Sequence, residues 1–218
     1  MYQYIFFDLD GTLTDPREGI TKSVQYALAR MGIDEPDLKK LEPFIGPPLI
    51  DSFQEYYGFT PEQAKMGVSY YREYFKPTGL YLNELFEGVP KMLQSMKESG
   101  KVAAIASSKP EPFVRQILEH FQILSYFDYV CGSTLDETRT RKEEVIEELL
   151  RRMQLSESEK KKILMVGDRK HDVEGAGYFG IPCLGVRMGF AAEGELEAAG
   201  AIAVVDSMEE VEAFILQA

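Results

Sequence analysis

The sequence predicts an α/β protein, a doubly wound parallel sheet interrupted after its first strand by an all-helical insert. Three observations carry that expectation. The chain opens on a short apolar run, Tyr4-Ile5-Phe6-Phe7, that ends abruptly in Asp8-Leu9-Asp10-Gly11-Thr12. From Gly88 onward, apolar strand-like runs alternate with amphipathic helical segments, the pattern of a sheet with helices on both faces. Between the two, residues 34–86 keep a helical pattern, are rich in tyrosine and phenylalanine, and show no strand-like run.

Taken in order, residues 17–31 form an amphipathic stripe of Ile20, Val24, Ala27, Leu28 and Met31, started by Asp15-Pro16 and stopped by Gly32. Residues 49–57 and 61–75 are the clearest helices of the insert, and Phe44-Ile45-Gly46-Pro47-Pro48 is a rigid turn that no helix interior admits. The expected domains are therefore 1–14 with 87–218 for the sheet, and 15–86 for the insert. Beyond Gly88, the pattern gives a helix over 89–99, a strand over 101–108, a helix over 112–121 and a strand over 127–132. A charged helix over 141–153 follows, then a strand over 163–168 and a helical segment to Gly180. Residues 182–187, 193–199, 201–206 and 208–216 complete the alternation of strand and helix.

Composition narrows the function classes. The 218 residues suffice for one well-filled domain carrying a smaller insert. A net charge of −12 argues against a nucleic-acid polymer or an anionic membrane as partner, since either needs a basic face. It does not exclude anionic small molecules, because a bound cation and a few lysines reverse the local potential. Apolar runs are too short to span a membrane, and the N-terminus has no basic region followed by an apolar segment. Cys131 and Cys183 lack metal-type spacing and sit in apolar strand-like contexts, which suits reduced thiols in a cytoplasmic protein. A monomer and a homodimer are both compatible with this composition.

Polar residues with chemical capacity collect at strand ends. Asp8 and Asp10, spaced i, i+2 on a strand, point to the same side, which suits a divalent cation with one carboxylate free to attack or to move a proton. Taken alone, the pair also fits a loop in which both acids cap turns. Ser107 and Ser108 end another strand, the loop after Gly132 a third, and Asp168 a fourth; in an open parallel sheet such ends share one edge. Asp8, Asp10 and Asp168 offer oxygen ligands for Mg2+, and Asp172 follows Asp168 by one helical turn. Ser107, beside the N–H groups of a helix start, can hold a phosphate. A lysine is needed to offset the charge; Lys142, at a helix start, is better placed than Lys109 or Lys170.

Asp8-Leu9-Asp10-Gly11-Thr12, Ser107, Lys142 and Gly167-Asp168-Arg169-Lys170-His171-Asp172 resemble, in order and spacing, the four motifs of the haloacid dehalogenase superfamily of phosphatases. The resemblance spans the chain and implies a Rossmann-like core with a mobile helical cap. Residues 13–20, Phe44-Ile45-Gly46-Pro47-Pro48, Ser107-Ser108-Lys109-Pro110 and Val166-Gly167-Asp168-Arg169 look like the branch holding phosphoglycolate phosphatases and bacterial 5′-nucleotidases. It implies Asp8 as nucleophile, Asp10 as general acid and then base, and Ser107 and Ser108 at the phosphoryl group. Lys142 would stabilise Asp8 and phosphate. The magnesium site would be Asp8, the Asp10 carbonyl and Asp168, with Asp172 orienting water or lysine. In the cap, Phe44, Gly46, Pro47, Pro48, Arg17 and Arg72 are candidates to reach a small phosphomonoester. The sequence departs from the branch in having Glu137 for glycine and Gly189-Phe190-Ala191 for a more glycine-rich turn. An aspartate at position 10 favours ester hydrolysis with a poor leaving group, phosphoglycolate being the first expectation. A 5′-nucleotidase acting on nucleoside monophosphates is an alternative, and so is a sugar phosphomutase, which uses the same acid as Asp10. A phospho-accepting or non-catalytic regulatory module is the reading from another class; loss of a motif residue would signal it, and none is missing.

Overall fold

A computed structural model describes residues 1–136 and 138–217, so Glu137 lies outside the described residues. The chain divides into two compact units, residues 1–14 with 85–218, and residues 15–84.

The first unit is built on a six-stranded sheet of order β5-β4-β1-β6-β7-β8, in which every pairing is parallel. Its strands are β1 (Tyr4–Phe7), β4 (Val102–Pro110), β5 (Tyr129–Ser133), β6 (Ile163–Gly167), β7 (Cys183–Val186) and β8 (Ala203–Val205). Two short strands, β2 (Thr14–Asp15) and β3 (Glu84–Leu85), lie where the chain leaves this unit and returns. β3 falls in a stretch where no strand was expected, because two residues are too few to show a period.

The sheet takes this form because its central strands are apolar on both faces. Ile5, Phe6 and Phe7 of β1 and Ile163 to Val166 of β6 are wholly buried, as a strand covered by helices on both sides requires. Phe6, Ala104, Cys131 and Met165 share one face with Val145, Ile146 and Leu149 of α6 (Lys142–Met153) and Val173 and Ala176 of α8 (Lys170–Gly177). By strand alternation, Ile5 and Phe7 serve the opposite face, where Phe127 meets Phe7 edge-on at 6.3 Å. Helices α4 (Val89–Glu98), α5 (Glu111–His120), α9 (Glu195–Ala199) and α10 (Met208–Gln217) complete this unit. A four-residue helix, α7 (Glu157–Lys160), was not expected; Ser156 and Glu159 cap it reciprocally, a signal that the sequence does carry.

The second unit is helical, with α1 (Arg17–Arg30), α2 (Leu49–Tyr57), α3 (Pro61–Phe75) and 3-10 turns over Leu38–Phe44 and Gly79–Tyr81. Thr60 starts α3 by accepting from Gln63 N–H while Gln63 accepts from Thr60 N–H, and Pro61 fills the first helical position. The tyrosines and phenylalanines give the unit its own core: the Phe44 ring lies 5.0 Å from Phe53, 5.5 Å from Tyr56 and 6.0 Å from Tyr57. No helix among the described residues is long and apolar enough to cross a membrane.

Candidate active site

Strand register decides which side chains meet. Phe7 pairs with Ile105 on one side and Val166 on the other, so the residues that follow each strand emerge together at the carboxyl edge. Asp8, Asp10, Ser107, Ser133 and Asp168 all lie there, and all are buried.

Lys142 ties the edge together. As the first residue of α6 its side chain points back toward the helix start, and Glu144 fixes that start by accepting from the Thr140 and Arg141 N–H groups. The Lys142 ammonium lies 2.9 Å from Asp8 Oδ1 and 2.7 Å from Asp172 Oδ1, and it donates to the Ala106 carbonyl at 2.8 Å. Burial works to lower its pKa, but the Asp172 and Asp8 carboxylates outweigh burial and raise it, so the ammonium stays charged.

Asp168 is fully buried. Its Oδ2 accepts from Phe190 N–H at 2.8 Å and its Oδ1 from the Thr12 hydroxyl at 3.4 Å. Gly11 and Gly189 make the room: a Cβ at either would fall on the Asp168 carboxylate. Asp172 accepts from Arg169 N–H through Oδ2 at 3.0 Å, leaving Oδ1 to Lys142. Burial raises the pKa of Asp168, and the nearby Asp172 and Asp8 charges add to it; burial also raises Asp172, against the pull of Lys142.

One oxygen each of Asp8, Asp168 and Asp172 falls within a 4.8 Å cluster. Asp8 Oδ1 and Asp172 Oδ1 lie at ion-pair distance from Lys142, yet neither accepts a well-directed hydrogen bond. Three buried carboxylates facing one ammonium leave excess negative charge that a small hard cation offsets. These residues therefore fit a divalent cation. The Asp10 side chain stands apart from the cluster, its Oδ2 paired with the Lys109 ammonium. Burial raises the pKa of Asp10, Lys109 pulls it down and Asp8 raises it further.

Ser107 ends the regular part of β4, and its Oγ accepts from Lys109 N–H at 3.3 Å; Ser108 is half-buried beside it. The remaining candidates lie in the helical unit. Phe44 is 1% exposed and packs in that unit's aromatic core. Arg17 pairs with Asp15 at 3.7 Å and Glu42 at 3.4 Å, and Gly46 takes a φ of 103° ahead of Pro47. Sequence reasoning missed the Lys109–Asp10 pair and the Phe190 N–H on Asp168. A lysine two residues after Ser107 was visible, but nothing local shows where it points.

Comparison with known proteins agrees with this geometry. The family model of haloacid dehalogenase-like hydrolases matches residues 5–186. A 5′-nucleotidase of Pseudomonas aeruginosa is 52% identical over 90% of this chain and 88% of its own length. The tyrosine-protein kinase PtkA of Mycobacterium tuberculosis is 35% identical over 86% of this chain and 63% of its own. The crystal structure of a predicted phosphatase from Clostridium acetobutylicum superposes with a TM-score of 0.96 at 44% identity, over 100% of both chains. The chain belongs to the haloacid dehalogenase-like hydrolases, and it is a phosphatase.

Proposed function

We propose that this phosphatase hydrolyses small phosphomonoesters through a phosphoryl group carried on Asp8, with Mg2+ as its resident cation. The observation that supports this most is the setting of Asp8, 5% exposed at the end of the central strand and 2.9 Å from the Lys142 ammonium. Its carboxylate oxygen attacks phosphorus in line, and the ester P–O bond breaks as the aspartyl P–O bond forms. Asp10 gives its proton to the departing alkoxide oxygen, and its raised pKa suits it to carry that proton. Asp10 then takes a proton from the water that attacks the same phosphorus, releasing inorganic phosphate and restoring Asp8. General acid–base help of this kind is worth about 10²–10⁴-fold. Ser107 donates its hydroxyl proton to a phosphoryl oxygen, Ser108 lies beside it, and Lys142 offsets the charge gathering on Asp8 and phosphate. Asp8, Asp168 and the Asp10 carbonyl would hold the cation, which supplies Lewis-acid neutralisation of phosphoryl oxygens; Asp172 keeps Lys142 in place.

On substrate, the 52% identity to a 5′-nucleotidase supports nucleoside 5′-monophosphates ahead of phosphoglycolate. The kinase relative supports a second reading, phosphoryl transfer to a protein tyrosine, but this chain spans only 63% of that protein's length. The deciding experiment measures inorganic phosphate released with Mg2+ from nucleoside 5′-monophosphates, 2-phosphoglycolate and sugar phosphates. Release from one class with none in Asp8→Asn supports the reading, and full activity in Asp8→Asn overturns it. An isomerised sugar phosphate in place of free phosphate marks a mutase, and labelled tyrosine from ATP marks the second reading.

A further inference from the structure

The mechanism above gives Lys109 no part, yet its ammonium pairs with Asp10 in a nearly closed setting, the two side chains being 6% and 9% exposed. The geometry points to Lys109 as a positioning residue that anchors one oxygen of Asp10, so that the other faces the leaving-group oxygen and the incoming water. This inference rests on Asp10 as the proton carrier.

Three features of the structure support it. The first is a break in the sheet. Along β4 and β5, Ser107 pairs with Gly132 and Pro110 with Ser133, so Ser108 and Lys109 fall outside the register. Such a bulge breaks strict alternation and re-aims a side chain. The bulge also has a specific requirement on the neighbouring strand. A Cβ at Gly132 would lie 2.6 Å from the Lys109 carbonyl oxygen and 2.6 Å from the Glu111 backbone, so the bulged path needs glycine there.

The second feature is the division of labour between the two lysines. Lys142 lies at ion-pair distance from Asp8 and Asp172 and donates to the Ala106 carbonyl. Asp10 makes its ion pair with the other lysine, Lys109.

The third is the asymmetry of the Asp10 carboxylate. Oδ2 is held by Lys109, while Oδ1 is buried with no hydrogen-bond partner among the described residues. A carboxylate gripped at one oxygen cannot turn away, and its second oxygen remains to give and take the proton.

The test separates orientation from simple charge balance by using leaving groups of graded acidity. Purified enzyme with Mg2+ is assayed on an aryl phosphate series from phenyl phosphate, whose phenolate needs a proton, to 4-nitrophenyl phosphate, whose phenolate leaves almost unaided. Asp10→Asn serves as the reference and Lys109→Met, nearly the same shape without charge or donor, as the probe. Both should lose about 10²-fold in kcat/KM on phenyl phosphate and less than about tenfold on 4-nitrophenyl phosphate; kcat/KM stops at formation of the aspartyl phosphate and so leaves out the water attack that Asp10 assists for every ester. Lys109→Gln keeps an N–H donor and should fall between wild type and Lys109→Met; it also serves if the methionine variant fails to fold. Circular dichroism checks each fold. An equal loss of kcat/KM on every ester in the Lys109 variants, beside a discriminating Asp10→Asn, overturns the positioning role. If Asp10→Asn itself does not discriminate, the proton-carrier reading of Asp10 falls, and this inference falls with it.

Discussion

Gly175→Ala tests how Lys142 is held. Gly175 lies inside α8 where that helix crosses the start of α6, and an added Cβ would sit 2.7 Å from Lys142 Cγ, 2.8 Å from Lys142 Cβ and 3.1 Å from the Glu143 nitrogen. Ordinary contact begins at 3.4 Å, so the lysine stem or the whole of α6 must retreat by about 0.7 Å from the 2.7 Å approach. Two effects oppose each other. Alanine for glycine in a helix gains roughly 1 kcal/mol of propensity, whereas overpacking a filled interior costs about 1–3 kcal/mol. Overpacking wins, because the atoms met are the base of a side chain and backbone, not a flexible tip. A net loss near 1 kcal/mol lowers Tm by roughly 2–4 °C for a chain of this length. Activity should suffer more, since a shift approaching 1 Å in a charge-bearing group can cost about 10²-fold; a fall in kcat of roughly tenfold or more is expected. Gly177, exposed in the same helix with nothing within 4 Å of an added Cβ, is the control, and Gly177→Ala should keep full activity at equal or higher Tm. Thermal melts and phosphate release with Mg2+ on both variants decide the matter. A Gly175→Ala protein as stable and active as Gly177→Ala would refute the argument.

Other consequences concern charge and burial. Removing divalent cations should lower Tm and restoring Mg2+ should raise it, and in Asp168→Asn the midpoint of that Mg2+-dependent rise should move at least about tenfold higher. Both free cysteines are buried, and burial pushes the Cys131 thiol up to about 11, so neither should react with a thiol reagent at pH 8 until urea unfolds the chain. Glu148 is held down to about 2 by Arg151 and Arg152, whose Nε atoms lie at 2.7 and 2.8 Å. A depressed carboxyl pKa adds stability above its ordinary value that is lost as pH falls. Urea titrations should therefore find Glu148→Gln less stable at pH 7, by under about 1 kcal/mol, since Arg151 is exposed and Arg152 is only half-buried. The difference should shrink between pH 4.5 and 2.

The strands and most helices were legible because their signals are local. An apolar run closing on polar residues marks β1, β4 and β6, and start and stop residues mark α2 and α3 to within a residue. The Ser156–Glu159 cap was equally local and marks α7 in hindsight. Phe44 is the opposite case. Only packing shows that its ring belongs to an aromatic core, a placement no local signal carries.

The sequence by itself determined that acids and hydroxyls would stand at the ends of apolar parallel strands, because burial on both faces leaves polar residues nowhere else to go. Tertiary structure decided which of them meet. Lys109 and Asp10 are 99 residues apart, and Phe190 and Asp168 are 22 apart. Their contacts depend on strand order, on one bulge, and on glycines that clear space for a neighbour. None of these leaves a period in the sequence, because each is fixed by atoms supplied from another element.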